Sequence, residues 1–260
     1  MEPLTLVVLA AGRSTRFGRP KQLEPVGPNG ESLLEITMDQ AFAAGVQEAV
    51  IVVASPHRAI FEQRFIERSD VRTVVQEEAR GTAHATASAL RRDMGTTIVV
   101  NGDDHYGYGA IALAVEHACH GPQSEHAMVA FELGRTLSPH GGVNRAVCST
   151  DENARLVRTV EVRGLRAQTN GEILDAEGAT WAPSTLVSMN LWVLRPSIFS
   201  AFEHTIAPPS TGGEHGLPSV VQHAVEAGAA LRVLRTSASW SGLTFPEDAD
   251  LVRRSLNGSA

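Results

Sequence analysis

The sequence predicts an α/β fold, a doubly wound and mainly parallel mixed sheet flanked by helices. Strand-like and helix-like segments alternate four times in the first hundred residues, an order typical of parallel strands joined by helical crossovers. The first of these strands, 4–11, is an apolar run that has no polar face to turn to water. The second half contains strand-like segments with few helices between them, which predicts a strand-rich second lobe.

In the first half, hydrophobic periodicity and the residues that typically begin and end helices predict the position of each element. Strands are predicted at 4–11, 49–53, 71–75 and 97–100. Three helices are predicted: the first begins after Ser32, the second spans 61–68 and the third spans 82–92. The first helix has Ser32 and Glu35 as a capping box and Gly45 as its end. Thr82 is the predicted N-cap of the third helix.

In the second half, strands are predicted at 127–132, 143–149, 156–162, 186–194 and 231–234, and helices at 196–204 and 218–227. Residues 164–185 contain three glycines and form either an irregular excursion or a hairpin. A final helix opens with Thr244 and Glu247 as a second capping box and closes with Arg253 and Arg254, as the helix dipole favours. Because no low-complexity linker interrupts the chain, we expect one domain, 1–260, with lobes at 1–107 and 108–260.

Composition limits the classes of function. The net charge of -7 argues against a nucleic-acid partner or an anionic membrane surface, both of which require a basic field. The two cysteines are too few for a disulfide framework and show no C-x-x-C spacing. The amino terminus lacks the features of a signal peptide, and no apolar run approaches the ~20 residues of a membrane span. We therefore expect a reduced, cytoplasmic protein.

A basic, glycine-containing loop follows the first strand. It carries Gly12, Gly18 and four cations, which are Arg13, Arg16, Arg19 and Lys21. Glycine lets backbone N–H groups face a ligand closely, and clustered cations suit a polyanion such as phosphate. The spacing excludes both a Walker A loop and a dinucleotide-binding G-x-G-x-x-G fingerprint. From spacing alone, a solvated basic loop remains an equal alternative.

Polar residues also follow two further strands of the predicted sheet. Gln76 comes directly after the third strand, and Asp103 and Asp104 come after the fourth. In a doubly wound sheet these strand ends and the basic loop converge on one crevice. An amide can pair with the edge of a base, and a carboxylate at a strand end can hold Mg²⁺. The alternatives are a solvated glutamine for Gln76 and turn residues for the two aspartates.

Three histidines near these segments receive no chemical role from the sequence. They are His84, His105 and His215. A lone histidine is more often a packed structural residue than a catalytic one. We therefore leave all three out of the predicted chemistry.

Several segments together resemble the nucleotidyltransferase family. Leu9-Ala10-Ala11-Gly12-Arg13-Ser14-Thr15-Arg16-Phe17 and Pro20-Lys21 resemble the signature L-A-A-G-x-G-T-R-(M/F)-x-P-K, with Ser14 where many members have glycine. Segments 75–85 and 100–107 are similar to the base-reading and metal-binding segments of sugar nucleotidyltransferases. Segments 142–145, 160–161 and 187–192 are similar to their sugar-lobe stretches. These motifs cover nearly the whole chain in order.

The resemblance implies a glycosyltransferase-A-like nucleotidyltransferase fold, close to the nucleoside diphosphate sugar pyrophosphorylases. It implies transfer of a nucleoside monophosphate from a nucleoside triphosphate, UTP or dTTP, to a sugar 1-phosphate, with Mg²⁺ as cofactor, and it is compatible with a homo-oligomer. By position, the implied catalytic cations are Arg16 and Lys21, and the implied metal ligands are Asp103 and Asp104. The implied nucleotide-binding residues are Leu9, Ala10, Ala11, Gly12, Arg13, Gln76, Gly81 and Thr82. The implied sugar-phosphate-binding residues are Gly142, Glu161 and Asn190.

Two other functions remain open at this point. One is a cytidylyltransferase of a non-sugar phosphate on the same fold, although the strand-rich region 127–194 favours a sugar lobe. The other is a catalytically silent nucleotide- or sugar-binding regulator. Many relatives carry a second metal-binding aspartate where this chain has Thr244, so Asp104 or substrate phosphates would have to complete the coordination. The presence of Arg16, Lys21 and Asp103 argues against a silent protein.

Overall fold

A computed structural model describes residues 3–12, 17–206, 215–243 and 247–257 of the chain, without the side chains of 204–206 and 257. Its strands are β1 Thr5–Ala10, β2 Glu48–Ala54, β3 Val71–Gln76, β4 Thr97–Asn101, β5 Asp104–His105, β6 Glu125–Glu132, β7 Val143–Thr150, β8 Leu156–Ala167, β9 Ile173–Leu174, β10 Thr180–Trp181, β11 Leu186–Leu194, β12 Ala230–Arg235 and β13 Ser241–Gly242. Its α-helices are α1 Leu33–Ala44, α2 Arg58–Arg64, α3 Thr82–Ala89, α4 Tyr108–His120, α5 Phe199–Ile206, α6 Leu217–Glu226 and α7 Asp248–Asn257.

Within these ranges, eleven strands form one mixed sheet in the order β10-β9-β8-β7-β11-β4-β1-β2-β3, with β6 paired to β11 and β12 paired to β6. The block β4-β1-β2-β3 is parallel, whereas β11 runs antiparallel to β4, β6 and β7. Strands from both predicted lobes therefore share the sheet. The parallel block brings the carboxyl ends of β1, β3 and β4 to one edge, where α/β sheets bind ligands.

Helices cover both faces of this sheet. Every residue of β1 is buried, and alternate side chains enter two different apolar clusters. Leu6 and Val8 pack with residues of α1 and α4, such as Met38 and Ile111. Val7 and Leu9 lie in the cluster that contains residues of α3, α5 and α6. The predicted doubly wound architecture is confirmed, because each face has its own core.

The first helix matches its prediction. Ser32 Oγ accepts a hydrogen bond from the Glu35 backbone N–H, and the Glu35 carboxylate accepts one from the Ser32 backbone N–H. Gly45 ends the helix with φ at 120°, a conformation that favours glycine. Local signals determined both ends of this helix.

Several other predictions were wrong in detail. Helix α2 begins earlier than predicted because Ser55–His57 already form a helical turn that leads into it. Thr82 is not the N-cap of α3. Gly81 occupies that position, and the Thr82 hydroxyl instead accepts a hydrogen bond from Leu217 N at 2.8 Å. Region 164–185 contains the end of β8 followed by the short pair β9 and β10.

Helix α4, the start of the last helix and membrane-spanning segments remain to be compared with their predictions. The sequence did not delimit α4, half of whose buried residues are alanines that give little periodic contrast. Thr244, the predicted cap of the last helix, lies outside the described residues. No helix in the described part of the chain is long and apolar enough to cross a membrane.

Candidate functional site

A cleft of about 540 Å³ opens at the carboxyl ends of β1, β3 and β4 and extends along β7, β8 and β11. This size is typical of a site for a small molecule. Many of the predicted site residues line it, from both the nucleotide-binding set and the sugar-phosphate-binding set of the predictions. They are Leu9, Ala11, Gly12, Lys21, Gln76, Gly81, Thr82, Asp103, Asp104, Glu161 and Asn190.

Two of the predicted site residues, Ala10 and Gly142, do not line the cleft. Ala10 is fully buried inside β1 and does not line the cleft. Gly142 packs against the backbone of Gly164. A Cβ added at position 142 would lie 3.0 Å from the Cα and 3.0 Å from the carbonyl oxygen of Gly164. Its lack of a side chain therefore permits close strand packing. Arg13 and Arg16 lie outside the described residues, so their roles stay predictions.

Lys21 and Asp103 join the end of the basic loop to the end of β4. Their side chains form an ion pair, and both are about one-fifth exposed at 19% and 22%. Lys21 Nζ also donates a hydrogen bond to the carbonyl of Leu243 at 2.8 Å, and Leu243 N donates to the carbonyl of Asp103 at 3.0 Å. The pair is thus held in place by three segments that are far apart in the sequence. In the protein without ligand, Asp103 neutralises this lysine.

Asp104 lies beside this pair but is buried. Its Oδ2 accepts a hydrogen bond from Asn101 Nδ2 at 2.8 Å and lies 3.4 Å from the Tyr106 hydroxyl. Burial raises the pKa of the Asp104 carboxyl to about 7, and the neighbouring charge of Asp103 acts in the same direction. An added cation would favour the ionised form. The Asp104 carboxyl is therefore partly protonated at neutral pH.

The carboxyl groups of Asp103 and Asp104 suit a metal ion that takes most of its ligands from outside the protein. Asp103 is partly exposed in the cleft, and Asp104 is its buried neighbour. Within the described residues, no group of three or more His, Cys, Asp or Glu side chains could enclose a metal ion. A hard cation such as Mg²⁺ often binds through one or two carboxylates plus water and phosphate oxygens. This donor set fits that pattern.

One corner of the cleft is formed by Gln76 and Gly81, with His84 in contact with Gln76. Gln76 Nε2 donates a hydrogen bond to the Gly81 carbonyl at 3.2 Å and lies 2.9 Å from His84 Nδ1. Segment 215–217 packs onto this corner, where Ala83 N donates to the His215 carbonyl at 2.9 Å. Gly81 has φ at 91°, and a Cβ added there would lie 2.5 Å from the His215 oxygen. Glycine is required at this corner.

We expect Gly81→Ala to lower the free energy of unfolding by about 2 kcal/mol or more, because it adds a backbone clash to an unfavourable φ. Gly30→Ala is the matched control, since Gly30 has φ at 88° but no heavy atom within 4 Å of an added Cβ. The control should lose about 1 kcal/mol. Urea unfolding of both variants measures the difference, and equal losses would contradict the clash.

Arg145 lines the cleft, and no role was predicted for it, although it ends the sugar-lobe segment 142–145. Its Nε donates to Thr136 Oγ1 at 3.3 Å, its Nη1 to the Asn144 carbonyl at 2.9 Å, and its Nη2 to the Thr136 carbonyl. The guanidinium stacks over Trp240 at 4.9 Å. Burial lowers its pKa to about 10, so it stays charged at neutral pH. The sequence feature that could have identified Arg145 is a cation in a predicted strand, within a segment that resembles the family.

No described carboxylate lies within ion-pair distance of Arg145, in contrast to Lys21. Its three contacts use three of the five N–H groups of a guanidinium, which leaves one hydrogen on each terminal nitrogen. Arg145 is half-buried and its hydrogen-bond acceptors are neutral oxygens, so it attracts an incoming anion even though the Asp104 carboxyl already favours its charged form. Arg145 is therefore suited to binding an anionic group in the cleft.

Glu161 and Asn190 mark the far side of the cleft. Glu161 lies on β8, is 60% exposed, and accepts a hydrogen bond from Arg163 Nε at 3.1 Å. Asn190 has φ at 60°, where the pairing register of β11 shifts between Ser188 and Trp192. Its side chain donates to Asn101 Oδ1 at 3.4 Å and accepts from Trp192 Nε1 at 3.2 Å. Strained backbone of this kind is common at ligand sites.

Curated relatives include two proteins named bifunctional protein GlmU. That of Pelobacter propionicus is 32% identical over 173 residues, which cover 65% of this chain and 36% of the relative. That of Burkholderia thailandensis is 29% identical over 256 residues, covering 96% of this chain and 51% of the relative. The chain thus spans about half, or less, of the length of these relatives.

Solved structures agree with the fold. An inositol-1-phosphate CTP transferase from T. maritima has a TM-score of 0.69 at 18% identity, covering 97% of this chain and 96% of the other. A protein described as a glucose-1-phosphate thymidylyltransferase from Bacillus anthracis has a TM-score of 0.71 at 15% identity, covering 97% and 95%. The predicted nucleotidyltransferase fold is confirmed.

The model of the MobA-like NTP transferase domain matches residues 6–171, and the chain belongs to this family.

Proposed function

We propose that this protein transfers a nucleoside monophosphate from UTP or dTTP to a sugar 1-phosphate, releasing pyrophosphate. The observation that carries the proposal is the single cleft that joins two sets of predicted residues. Gln76, Lys21 and Asp103 line its nucleotide side, and the predicted sugar residues Glu161 and Asn190 line the other. A reaction between two phosphates requires this arrangement, because both must meet in one place.

The reaction requires little acid–base chemistry from the protein. An oxygen of the sugar phosphate attacks the α-phosphorus of the triphosphate, and the bond from that phosphorus to pyrophosphate breaks. A phosphate monoester has a second pKa of about 6, so the attacking group is already anionic at neutral pH. The barrier lies in bringing two anions together and in stabilising the leaving group. Positioned cations supply most of what is needed.

On the triphosphate side, Lys21 provides a cation beside the end of β1, and Gly12 lines the same cleft. Arg16 and Arg13 are assigned to this side by their sequence positions. Asp103 would hold Mg²⁺, with Asp104 behind it. When bound, the ion neutralises phosphate charge and stabilises the departing pyrophosphate. The lysine and the loop then hold the triphosphate in line for attack.

On the acceptor side, we assign the phosphate of the sugar 1-phosphate to Arg145. Its two remaining N–H groups match two oxygens of a phosphate, and Trp240 holds its guanidinium plane. Glu161 and Asn190 would receive the sugar hydroxyls. The carboxylate of Glu161 accepts hydrogen bonds, whereas the amide of Asn190 can also donate.

We expect Arg145→Gln to raise the KM for the sugar 1-phosphate by about 10- to 100-fold while changing the KM for the nucleotide less than threefold, because one charge-assisted contact is lost on one side of the cleft. Steady-state kinetics with each substrate varied in turn measure this split. Arg158→Gln, an exposed arginine on the neighbouring strand β8, is the control. An unchanged KM for the acceptor would remove Arg145 from the site.

The function itself is tested by pyrophosphate release. The protein is incubated with Mg²⁺, each nucleoside triphosphate, and a panel of sugar 1-phosphates and polyol phosphates. We expect release with UTP or dTTP and a sugar 1-phosphate. Release with CTP and a polyol phosphate would instead establish a cytidylyltransferase. Nucleotide binding without release for any pair would indicate a silent regulator.

A further inference from the structure

The amide of Gln76 has a fixed orientation in the cleft wall. Its side chain is 5% exposed, and one end of the amide lies 3.2 Å from the Gly81 carbonyl oxygen. A carbonyl oxygen can only accept a hydrogen bond, so the atom that faces it is the amide nitrogen. The Gln76 carbonyl oxygen, Oε1, is then the atom left for a ligand.

His84 holds the same nitrogen from a second direction. Gln76 Nε2 lies 2.9 Å from His84 Nδ1, so this ring nitrogen must accept the hydrogen bond. Because Nδ1 accepts this hydrogen bond, the proton of the neutral ring lies on Nε2.

The surroundings keep the imidazole neutral. His84 is 6% exposed, and burial lowers its pKa, as does the positive charge of Arg80. Glu78 acts in the opposite direction, and His215 adds a weaker lowering effect. At neutral pH, His84 Nδ1 therefore remains an acceptor, and both hydrogens of the Gln76 amide are engaged. No described group donates to Oε1.

We propose that His84 is a positioning residue that makes Gln76 an acceptor toward the nucleobase, and so sets the preference of the cleft for uracil or thymine over cytosine. Uracil and thymine carry an N–H at ring position 3, which Oε1 can accept. Cytosine has a bare nitrogen there, whose lone pair would face the lone pairs of Oε1. This inference rests on the proposed function in one respect, that the cleft binds a nucleoside triphosphate.

Nucleotide binding tests the inference without requiring turnover. Calorimetric titration with UTP and with CTP, in the presence of Mg²⁺ and without acceptor, gives an affinity ratio for each form of the protein. For the unmodified protein, we expect UTP to bind roughly 10- to 100-fold more tightly, the effect of one mispaired buried hydrogen bond. In His84→Phe, which removes the ring acceptor at similar volume, only the Gly81 carbonyl still holds the amide nitrogen, so the amide turns more easily and the ratio should fall by about threefold or more.

Two further measurements separate positioning from simple packing. His84→Asn places a side-chain oxygen close to the former Nδ1, so it should restore most of the UTP preference. His117→Phe, which removes another buried histidine on α4, should leave the ratio unchanged whatever it does to stability. If His84→Phe does not fold, 3-methyluridine triphosphate tests the same contact on the unmodified protein. It lacks the N–H and should lose the preference.

The inference is overturned if the unmodified protein binds CTP as tightly as UTP, or if His84→Phe keeps the ratio. Either result would leave the transfer reaction itself intact. Conversely, the expected ratios together with no pyrophosphate release would support the base contact and overturn the proposed transfer. The two proposals therefore fail separately.

Discussion

Replacing Asp103 with alanine is expected to lower kcat by about a thousandfold, because the substitution removes the proposed metal ligand from the centre of the cleft. The structure places this carboxylate at the end of β4, paired with Lys21 and partly open to the cleft. Asp104 cannot replace it fully, since its carboxyl is buried and already hydrogen-bonded to Asn101. Pyrophosphate release under saturating substrates measures the loss.

Loss of the fold would not explain this result. The Asp103 side chain is 22% exposed, and the described contact it would lose is one ion pair. Such pairs near a surface contribute at most about 1 kcal/mol to stability. The urea midpoint of Asp103→Ala should therefore stay close to that of the unmodified protein. Asp93→Ala, which breaks a surface pair with Arg91, is the control for general loss of a carboxylate. Full activity in Asp103→Ala would show that the metal assignment is wrong.

Replacing Lys21 with methionine is expected to lower kcat about a hundredfold while strengthening the binding of divalent cations to the free protein. The first effect follows from the loss of a cation that we place on the triphosphate. The second follows from the ion pair, because Lys21 competes with any cation for the Asp103 carboxylate. Methionine keeps the length of the side chain, so packing changes little.

Mn²⁺ binding, followed by electron paramagnetic resonance, separates these two effects. We expect Lys21→Met to bind Mn²⁺ several-fold more tightly than the unmodified protein when no nucleotide is present. Arg19→Met is the matched control, since Arg19 pairs with Glu24 and not with Asp103. An unchanged or weaker Mn²⁺ affinity in Lys21→Met would show that the ion pair does not compete with the metal.

The parallel half of the fold was predictable because its signals are local. Apart from Thr5, the strand β1 is apolar on both faces, and Gly12 follows it, so the sequence alone indicates a buried strand with a loop after it. The capping box at Ser32 and the glycine at position 45 mark α1 in the same way. Strand ends that carry Gln76 and Asp103 then fall at one edge of the sheet by topology alone.

Contacts between distant segments could not be predicted. Thr82 carries the residue type of an N-cap, yet its hydroxyl bonds the backbone of Leu217, because segment 215–217 packs onto the start of α3. Arg145 gains its role from Trp240 and Thr136, which lie on other segments. A sequence shows that a cation or hydroxyl is present, but the partner that decides its function comes from the tertiary fold.

His84 illustrates the same limit on the base side. As a lone histidine on a helix, it has no sequence feature that separates a packed residue from a functional one. Its position beside Gln76 arises because β3 ends where α3 begins, with Gly81 turning the chain between them. The motif containing Gln76 could be recognised, but the direction of its amide depends on atoms that no motif specifies.

Isotope transfer tests the central proposal most directly. The protein is incubated with Mg²⁺, UTP or dTTP, and a sugar 1-phosphate whose phosphate oxygens are all labelled with ¹⁸O, and the products are analysed by mass spectrometry. If the acceptor phosphate attacks the α-phosphorus, the nucleotide sugar carries all of the label and pyrophosphate carries none. Unlabelled nucleoside monophosphate with no nucleotide sugar would contradict the proposal, because it would show that water attacks instead.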